Sequence, residues 1–387
     1  MCIILSEYLF ERYAYMKRIC LCIAFLFCLN MTAAAAPETE AKSAVLMEQS
    51  TGRVLFEQNA HEKLPPASVT KVMTMLLTME AIDGGNLTYD TIVTASERAK
   101  SMGGSTIFLE TNEQMSVNDL LKGIAVASGN DACVAMAEHI AGSEQGFVDM
   151  MNNRASELGM NDTSFKNTNG LDADGHLTSA YDIALMSREL LKHEDILKYT
   201  GIWMDSLRDG KFGLANTNRL IRFYSGANGL KTGSTSKAGF CISATAKRDG
   251  MQLIGVIMGS ETSDKRFASA KLLLDYGFAN YMIADPSENA EITDEVPVKH
   301  GMAQSVKAEI VPGGKILIEK NKKKDIKSEY VLNDFVEAPV KKGDIIGKIT
   351  FKCGDETVWE SDLAASEDVP RKTLFAVFAE TVLKWVR

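Results

Sequence analysis

At two places in the chain, two apolar segments lie on either side of a turn, and both places predict β-hairpins. Residues 43–47 and 53–56 are apolar segments on either side of a glycine-containing turn, a pattern typical of paired antiparallel strands. Residues 240–245 and 252–257 repeat this pattern across a turn that contains Gly250.

Between the hairpins, apolar residues recur every three or four positions, which is the period of an amphipathic helix. The pattern predicts helices that begin at Ser68 and near Arg266, and others over 117–127, 131–141, 146–158 and 180–192. Strands at both ends of the region with helices between them predict one α+β domain that spans residues 37–283.

The character of the sequence changes after residue 283. Residues 284–368 contain short alternating apolar runs separated by glycine-containing turns, so they predict a small all-β sandwich domain. In residues 369–387 the helical period returns, with Leu374, Phe375 and Phe378 on one face and cations on the other. We expect an amphipathic helix that lies in the membrane interface, and a helix docked on the β domain is the alternative.

Residues 1–36 predict a secretory signal that is removed from the mature protein. Basic residues follow Met16, an apolar core covers 19–29, and small residues at 33–36 form a cleavage zone. Residues 1–15 carry acidic side chains that do not suit a signal, so we expect that translation starts at Met16 or that the extra segment is tolerated. The protein is therefore predicted to work outside the cytoplasmic membrane, in the cell-wall space.

The composition is that of a globular protein. The chain has 387 residues, of which 45% are hydrophobic and 24% charged, and its length leaves room for two domains. The net charge of −9 argues against nucleic acid as a partner.

The cysteines after the signal, Cys133, Cys241 and Cys353, are far apart and odd in number. They predict neither a disulfide framework nor a metal site, and we interpret them as small buried hydrophobic residues.

Candidate chemistry begins with Ser68 and Lys71, which lie three residues apart at the head of a predicted helix. Side chains at this spacing share a helix face, so the lysine amine can reach the serine hydroxyl and accept its proton. The same spacing also arises by chance, as Ser234 and Lys237 show outside any helical pattern. The pair therefore needs support from the rest of the sequence before it indicates an enzyme.

Two further motifs supply that support. Ser128-Gly129-Asn130 lies between two predicted helices, and Lys231-Thr232-Gly233 lies on the strand that starts the second hairpin. With Ser-x-x-Lys, they occur in the order found in the penicillin-recognising serine enzymes, which the chain resembles. Within that superfamily it resembles the low-molecular-mass penicillin-binding proteins that are D-alanyl-D-alanine carboxypeptidases. Further matching positions are Asn169-Gly170-Leu171, His176, Ser179 and Arg266.

The resemblance implies a β-lactamase/transpeptidase-like catalytic domain and an acyl-serine mechanism. Ser68 would attack the substrate carbonyl, Lys71 would accept its proton, and Ser128 would pass a proton to the leaving amine. Asn130 would hold Lys71 and the substrate amide, and Lys231 would complete the catalytic set.

The resemblance also implies a substrate site. Lys231, Thr232 and Arg266 would bind the terminal carboxylate of the substrate through charge-assisted hydrogen bonds. The backbone N–H groups of Ser68 and Ser234 would form the oxyanion hole. The implied partners are the peptidoglycan pentapeptide and β-lactam antibiotics, and neither a metal ion nor an organic cofactor is implied.

Several functions stay open at this point. A β-lactamase uses the same motifs, but class A enzymes add a glutamate that activates the deacylating water, and Glu157 misses the Glu-x-x-Leu-Asn pattern by one residue. The motifs are also consistent with a transpeptidase or endopeptidase of the same superfamily, and a non-catalytic wall-binding module is a function of another class. Arg266 is alternatively a surface charge at a helix start, and His176 is interpreted as a structural hydrogen-bonding residue.

Overall fold

A computed structural model describes residues 37–311 and 313–378 of the chain. The predicted signal segment and residues 379–387 of the predicted terminal helix lie outside the described residues. In chain order, the described strands are β1 (Ser43–Glu48), β2 (Val54–Gln58), β3 (Ile92–Thr94), β4 (Gln114–Ser116), β5 (Met204–Leu207), β6 (Phe212–Ala215), β7 (Ala227–Thr235), β8 (Gly239–Arg248), β9 (Met251–Ser260), β10 (Tyr281–Ala284), β11 (Glu295–Lys299), β12 (Ser305–Ile310), β13 (Ile316–Glu319), β14 (Ile326–Leu332), β15 (Val336–Glu337), β16 (Ile345–Cys353) and β17 (Glu356–Ala365).

Each helix that the sequence predicts before residue 283 is present, with its ends shifted by a few residues. The described α-helices are α1 (Lys71–Asp83), α2 (Glu97–Lys100), α3 (Val117–Ala125), α4 (Asn130–Ala141), α5 (Glu144–Glu157), α6 (Ala180–Leu190), α7 (Leu197–Thr200), α8 (Leu220–Phe223) and α9 (Ser263–Asn280). Short 3-10 turns cover Ala67–Thr70, Glu194–Ile196, Pro286–Asn289 and Lys320–Asp325.

A five-stranded antiparallel sheet in the order β2-β1-β9-β8-β7 forms the centre of the first domain. Both predicted hairpins are confirmed, as β1–β2 and as β8–β9. The strand β1 also pairs with β9, from Ser43 opposite Met258 to Glu48 opposite Leu253. This pairing joins the start of the domain to its end and leaves β7 as the last strand in the order, where its outer side is open to other elements.

Helices pack on both faces of this sheet and bury two separate cores. On one face, α1 and α3 to α6 pack around fully buried residues such as Met75 and Phe147. On the other face, α9 packs through Leu274. Neighbouring residues of β9 serve different cores, Leu253 on the α9 side and Ile254 on the other, because successive side chains of a strand point to opposite faces.

The chain after β10 forms an all-β domain, so the predicted fold class is confirmed. Six strands form a sheet in the order β14-β16-β17-β12-β11-β15, with hydrophobic clusters around Val296 and Ile346 and around Ile349 and Leu363. The two domains are joined by hydrogen bonds, since β10 pairs with β13. The predicted boundary at residues 283 and 284 lies at the end of β10 and stays a prediction.

The last described residues begin a helical turn over 374–378. The hydroxyl of Thr373 accepts a hydrogen bond from the backbone N–H of Ala376 at 3.3 Å, which caps this turn. Leu374 and Phe375 are 91% and 82% exposed. Within residues 37–311 and 313–378, no helix has the length and hydropathy needed to cross a bilayer.

Candidate active site

Ser68 lies in the 3-10 turn Ala67–Thr70, which continues directly into α1. In a 3-10 turn, side chains three residues apart eclipse each other, so Lys71 is directly over the serine. The distance from Lys71 Nζ to Ser68 Oγ is 3.0 Å. The preceding Ala67 has a φ of +48°, in the left-handed region that residues with a Cβ avoid. The predicted serine–lysine pair is therefore present in hydrogen-bonding geometry.

The amine of Lys71 is fully buried and is surrounded by three hydrogen-bond acceptors. Besides Ser68, these are Asn130 Oδ1 at 2.7 Å and the backbone carbonyl of Asn169 at 2.6 Å. Burial lowers the pKa of Lys71 to about 8, although the charge of nearby Asp131 raises it in part. A lysine with three donors and this pKa can lose one proton near neutral pH and turn a lone pair toward Ser68.

The Ser-Gly-Asn motif connects α3 to α4. Ser128 is nearly buried and has a φ of +64°, a strained conformation for a residue other than glycine. Asn130 begins α4, and both polar atoms of its side-chain amide form hydrogen bonds. Oδ1 accepts from Lys71 Nζ, and Nδ2 donates to the carbonyl of Gly103 at 2.7 Å. An amide Nδ2 has two N–H groups, so a second one is available for a substrate carbonyl.

Asp131 holds the loop that faces this motif. Its buried carboxylate accepts hydrogen bonds from the backbone N–H groups of Ile107, Leu109 and Ala132 at 2.9 to 3.1 Å. Charge-assisted bonds of this kind are stronger than neutral ones. Residues 107–109 are therefore fixed to the start of α4, a role of Asp131 that the sequence did not predict.

The Lys-Thr-Gly motif lies on β7, beside the turn that carries the serine. A Cβ at Gly233 would be 2.6 Å from the backbone nitrogen of Ser68 and 2.9 Å from that of Val69. Only glycine allows the strand to come this close to these N–H groups. Lys231 lies two residues earlier, on the same face of the strand. The predicted motif is thus adjacent to Ser68, the predicted nucleophile.

Lys231 is as deeply buried as Lys71. It is 1% exposed, and its amine donates to the carbonyl of Thr232 at 2.9 Å. Burial lowers the pKa of Lys231 well below its usual value, and the charge of Lys71 lowers it further. Two ammonium groups in one dry site disfavour each other, so an arriving anion would relieve this repulsion.

Arg266 approaches β7 from the α9 side of the sheet, opposite to the serine turn. It is 6% exposed, and its Nη1 donates to the carbonyls of Gly233 and Cys241, each at 3.3 Å. Its guanidinium also lies 4.4 Å from the ring centroid of Phe267. The alternative that Arg266 is a surface charge is therefore wrong. Its predicted contact with a substrate carboxylate stays a prediction.

The loop that contains Asn169 and Gly170 packs under the serine turn. Gly170 has a φ of +90°, and a Cβ there would be 1.9 Å from the carbonyl oxygen of Ala67, so glycine is required. Next to it, His176 Nδ1 accepts from the backbone N–H of Lys166 at 2.9 Å. Nε2 therefore carries the proton and donates to Thr70 Oγ1 at 2.8 Å. Burial lowers the pKa of His176 to about 4, which keeps the ring neutral at physiological pH.

The remaining residues that the sequence singled out lie away from this cluster or at its edge. Ser234 is exposed at the end of the motif, and Lys237 beyond it faces Asp174 across 3.7 Å. Glu157 is exposed on α5 and forms an ion pair with Arg154 at 2.9 Å. Of the three cysteines, Cys133 and Cys241 are buried and Cys353 is partly exposed. Among residues 37–311 and 313–378, no His, Cys, Asp and Glu side chains are grouped as metal ligands.

Comparison with known proteins identifies this arrangement. The sequence profile of the D-alanyl-D-alanine carboxypeptidase family matches residues 30–262. The chain belongs to this family. The profile of the C-terminal domain of penicillin-binding protein 5 matches residues 286–371, which correspond to the all-β domain.

Individual members of the carboxypeptidase family resemble the chain over most of its length. The D-alanyl-D-alanine carboxypeptidase DacF of Bacillus subtilis is 46% identical over 352 residues, 90% of each chain. The crystal structure of penicillin-binding protein 5 from Haemophilus influenzae has a TM-score of 0.70 at 32% identity and covers 88% of this chain and 100% of that one. Ampicillin-bound penicillin-binding protein D2 from Listeria monocytogenes has a TM-score of 0.57 at 32% identity and covers 62% of this chain and 100% of that one. The predicted family, fold class and carboxypeptidase function are confirmed.

The strained backbone of Ser128 leads to a prediction about stability in this carboxypeptidase. Ser128→Gly and Ser128→Ala both remove the hydroxyl, but only alanine keeps the Cβ that disfavours a φ of +64°. We expect the glycine variant to have a free energy of unfolding higher by about 1 kcal/mol, measured by urea denaturation. At Ser156, an exposed residue of α5, the order of the two variants should reverse, because alanine favours a helix. Equal free energies of unfolding for the two Ser128 variants would show that the backbone at residue 128 is not strained.

Proposed function

We propose that the chain is a serine-type D-Ala-D-Ala carboxypeptidase that removes the terminal D-alanine from peptidoglycan stem peptides through an acyl-Ser68 intermediate. The observation that carries the proposal is the contact of the fully buried Lys71 Nζ with Ser68 Oγ, which is partly exposed, at 3.0 Å. A buried base whose pKa is lowered toward physiological pH, and which is hydrogen-bonded to a hydroxyl, is what an activated serine requires.

The proposed acylation step uses these groups in turn. Ser68 Oγ attacks the carbonyl carbon of the scissile bond and gives its proton to neutral Lys71. The negative charge on the carbonyl oxygen develops next to the backbone N–H groups of Ser68 and Ser234, where Gly233 leaves room for it. The C–N bond then breaks, and Ser128 passes the proton from Lys71 to the leaving amine of D-alanine.

Deacylation and recognition complete the cycle. Water attacks the ester carbonyl, the C–O bond to Ser68 breaks, and the serine recovers its proton. The terminal carboxylate of the substrate binds at the Lys-Thr-Gly strand, with Lys231 supplying the charge, Thr232 a hydroxyl donor and Arg266 further positive charge from behind the strand. Asn130 orients the substrate amide with its second N–H group.

β-Lactams are proposed as acylating inhibitors of the same serine. The support comes from the relative from Listeria monocytogenes, whose structures include ampicillin- and cefotaxime-bound forms. A β-lactamase is disfavoured because Glu157 is exposed and paired with Arg154 on α5. A non-catalytic wall-binding module is disfavoured by the buried pair of lysines, since an unused buried cation only costs stability.

We also propose that the protein is exported and contacts the outer face of the cytoplasmic membrane. The signal-like residues 1–36 support export. The exposed side chains of Leu374, Phe375 and Phe378 support an interfacial helix. The all-β domain would then raise the catalytic domain above the bilayer, toward the peptidoglycan.

The central test uses the serine itself. Purified protein is expected to release free D-alanine from diacetyl-Lys-D-Ala-D-Ala and to be labelled covalently by a fluorescent penicillin. Ser68→Ala should abolish both, while Ser234→Ala should keep the labelling because only the backbone of Ser234 takes part. Rapid penicillin turnover without D-alanine release would indicate a β-lactamase, and persistent labelling of Ser68→Ala would exclude Ser68 as nucleophile.

The lowered pKa of Lys71 predicts the pH dependence of acylation. The neutral amine is the base, so the rate constant for penicillin acylation should rise with pH and level off above about pH 8, the pKa of Lys71. Below that value the rate should fall by about tenfold per pH unit, as for one titrating group. Lys71→Arg, which cannot lose its proton, should be inactive at every pH. A rate that is constant from about pH 6 to 9 would contradict Lys71 as the titrating base.

The proposed membrane contact of the last helix, here called the tether, is tested by truncation. Deletion of residues 375–387 should release the protein from liposomes in a flotation assay, because the exposed apolar residues of the last segment would be lost. D-Alanine release in solution should be unchanged, since every candidate site residue lies before residue 283 in the sequence. Membrane association that persists after the deletion would refute the tether.

A further inference from the structure

Thr217 is an exposed residue held between two buried asparagines. Asn216 donates from Nδ2 to the carbonyl of Ile202 at 2.7 Å, and Asn218 donates from Nδ2 to the carbonyl of Gly229 at 2.9 Å. Both asparagines are at most 7% exposed. The loop is therefore fixed by side chains that point inward, while Thr217 between them is exposed.

Thr217 also connects the two walls of the active site. Its backbone N–H donates to the carbonyl of Val126 at 3.3 Å, two residues before Ser128. Its hydroxyl lies 2.6 Å from the hydroxyl of Thr232 on the Lys-Thr-Gly strand. A shift of Thr217 would thus change the spacing between the Ser-Gly-Asn loop and β7.

The hydroxyl pair has one free proton for a ligand. A threonine hydroxyl has one donor and two acceptor lone pairs, so one member of the pair donates to the other and only the acceptor keeps its proton available. Thr232 is 5% exposed and lies next to Gly233, whose carbonyl binds Arg266. When Thr232 donates to a carboxylate, Thr217 has to donate to Thr232.

We propose that Thr217 is a positioning residue for recognition of the terminal carboxylate. It donates to Thr232 Oγ1, fixes the rotamer and proton direction of that hydroxyl, and so aims the Thr232 donor at the substrate carboxylate. This inference rests on the proposed function, because it assigns a role within the same substrate site. It predicts that Thr217 affects ligands with a free carboxylate and leaves ligands without one unaffected.

The test compares benzylpenicillin with benzylpenicillin methyl ester. Acylation rate constants are measured by intact-protein mass spectrometry for the wild type, Thr217→Val and Thr217→Ser. Valine keeps the shape and removes the donor, so acylation by the acid should fall about fivefold, the effect of one neutral hydrogen bond. Acylation by the ester should not change. Serine keeps the hydroxyl and should restore the wild-type preference for the acid.

A second readout uses the diacetyl-Lys-D-Ala-D-Ala peptide. Thr217→Val should raise KM and leave kcat close to the wild-type value, because the bond that is lost acts on binding of the carboxylate. Equal losses with the acid and the ester, or a serine variant as impaired as the valine variant, would show that Thr217 only supports the loop and would overturn the inference. Unchanged acid kinetics in Thr217→Val would overturn it as well.

These outcomes are separate from failure of the proposed function. A wild type that is acylated by penicillin but releases no D-alanine would refute the carboxypeptidase proposal, while the acid–ester comparison would still decide the role of Thr217. A wild type that neither compound acylates would refute both. Melting temperatures of the three proteins, measured in parallel, identify any variant whose loss of rate comes from unfolding.

Discussion

The buried amine of Lys71 is the group on which the geometry of the site depends. An ammonium in a dry interior is costly unless hydrogen bonds replace its water, and here the replacement comes from Ser68, Asn130 and Asn169. These acceptors belong to the 3-10 turn, to α4 and to the loop under the turn. Three segments that are distant in sequence therefore have to meet at one nitrogen, and each of them brings a part of the cleft with it.

The same constraint explains the unusual backbone around the site. Ala67 and Ser128 both have positive φ, and Gly170 and Gly233 both lie where a Cβ would collide with the serine turn. Strain of this kind persists only where the surroundings fix the conformation. Here the surroundings are the helices α1 and α3 to α6, which form a buried core on one face of the sheet. This buried core thus holds the three motifs in backbone conformations that their residues would not adopt by local preference alone.

Much of this could be predicted from sequence, because the signals are local. The turns that contain Gly52 and Gly250 lie between apolar runs, so both hairpins follow from the pattern. The serine–lysine contact follows from a spacing of three, although the 3-10 turn that makes the side chains eclipse does not. The burial of both faces of β9 does not follow from its pattern, since α6 packs on one face from a distant part of the chain while α9 folds back on the other.

The parts that escaped prediction are long-range backbone contacts. Asn169 acts through its carbonyl oxygen, and Asp131 acts on amides of residues more than twenty positions earlier. Neither role depends on a motif, because a backbone carbonyl has no side-chain signature and a buried aspartate has many uses. Thr217 is similar: its neighbours Asn216 and Asn218 form a polar run that resembles any surface loop until their inward hydrogen bonds are known.

The two buried lysines give the proposed mechanism its selectivity for a chain end. Lys71 and Lys231 lie in one dry site, where burial and the charge on Lys71 both lower the pKa of Lys231. A carboxylate bound at the Lys-Thr-Gly strand favours the charged form of Lys231 and relieves the repulsion between the two amines. An internal peptide bond brings no carboxylate to this position, so it leaves the buried amine of Lys231 without a counter-charge. In the proposed mechanism, selectivity for a chain end therefore follows from the cost of a buried cation that only a terminal carboxylate neutralises.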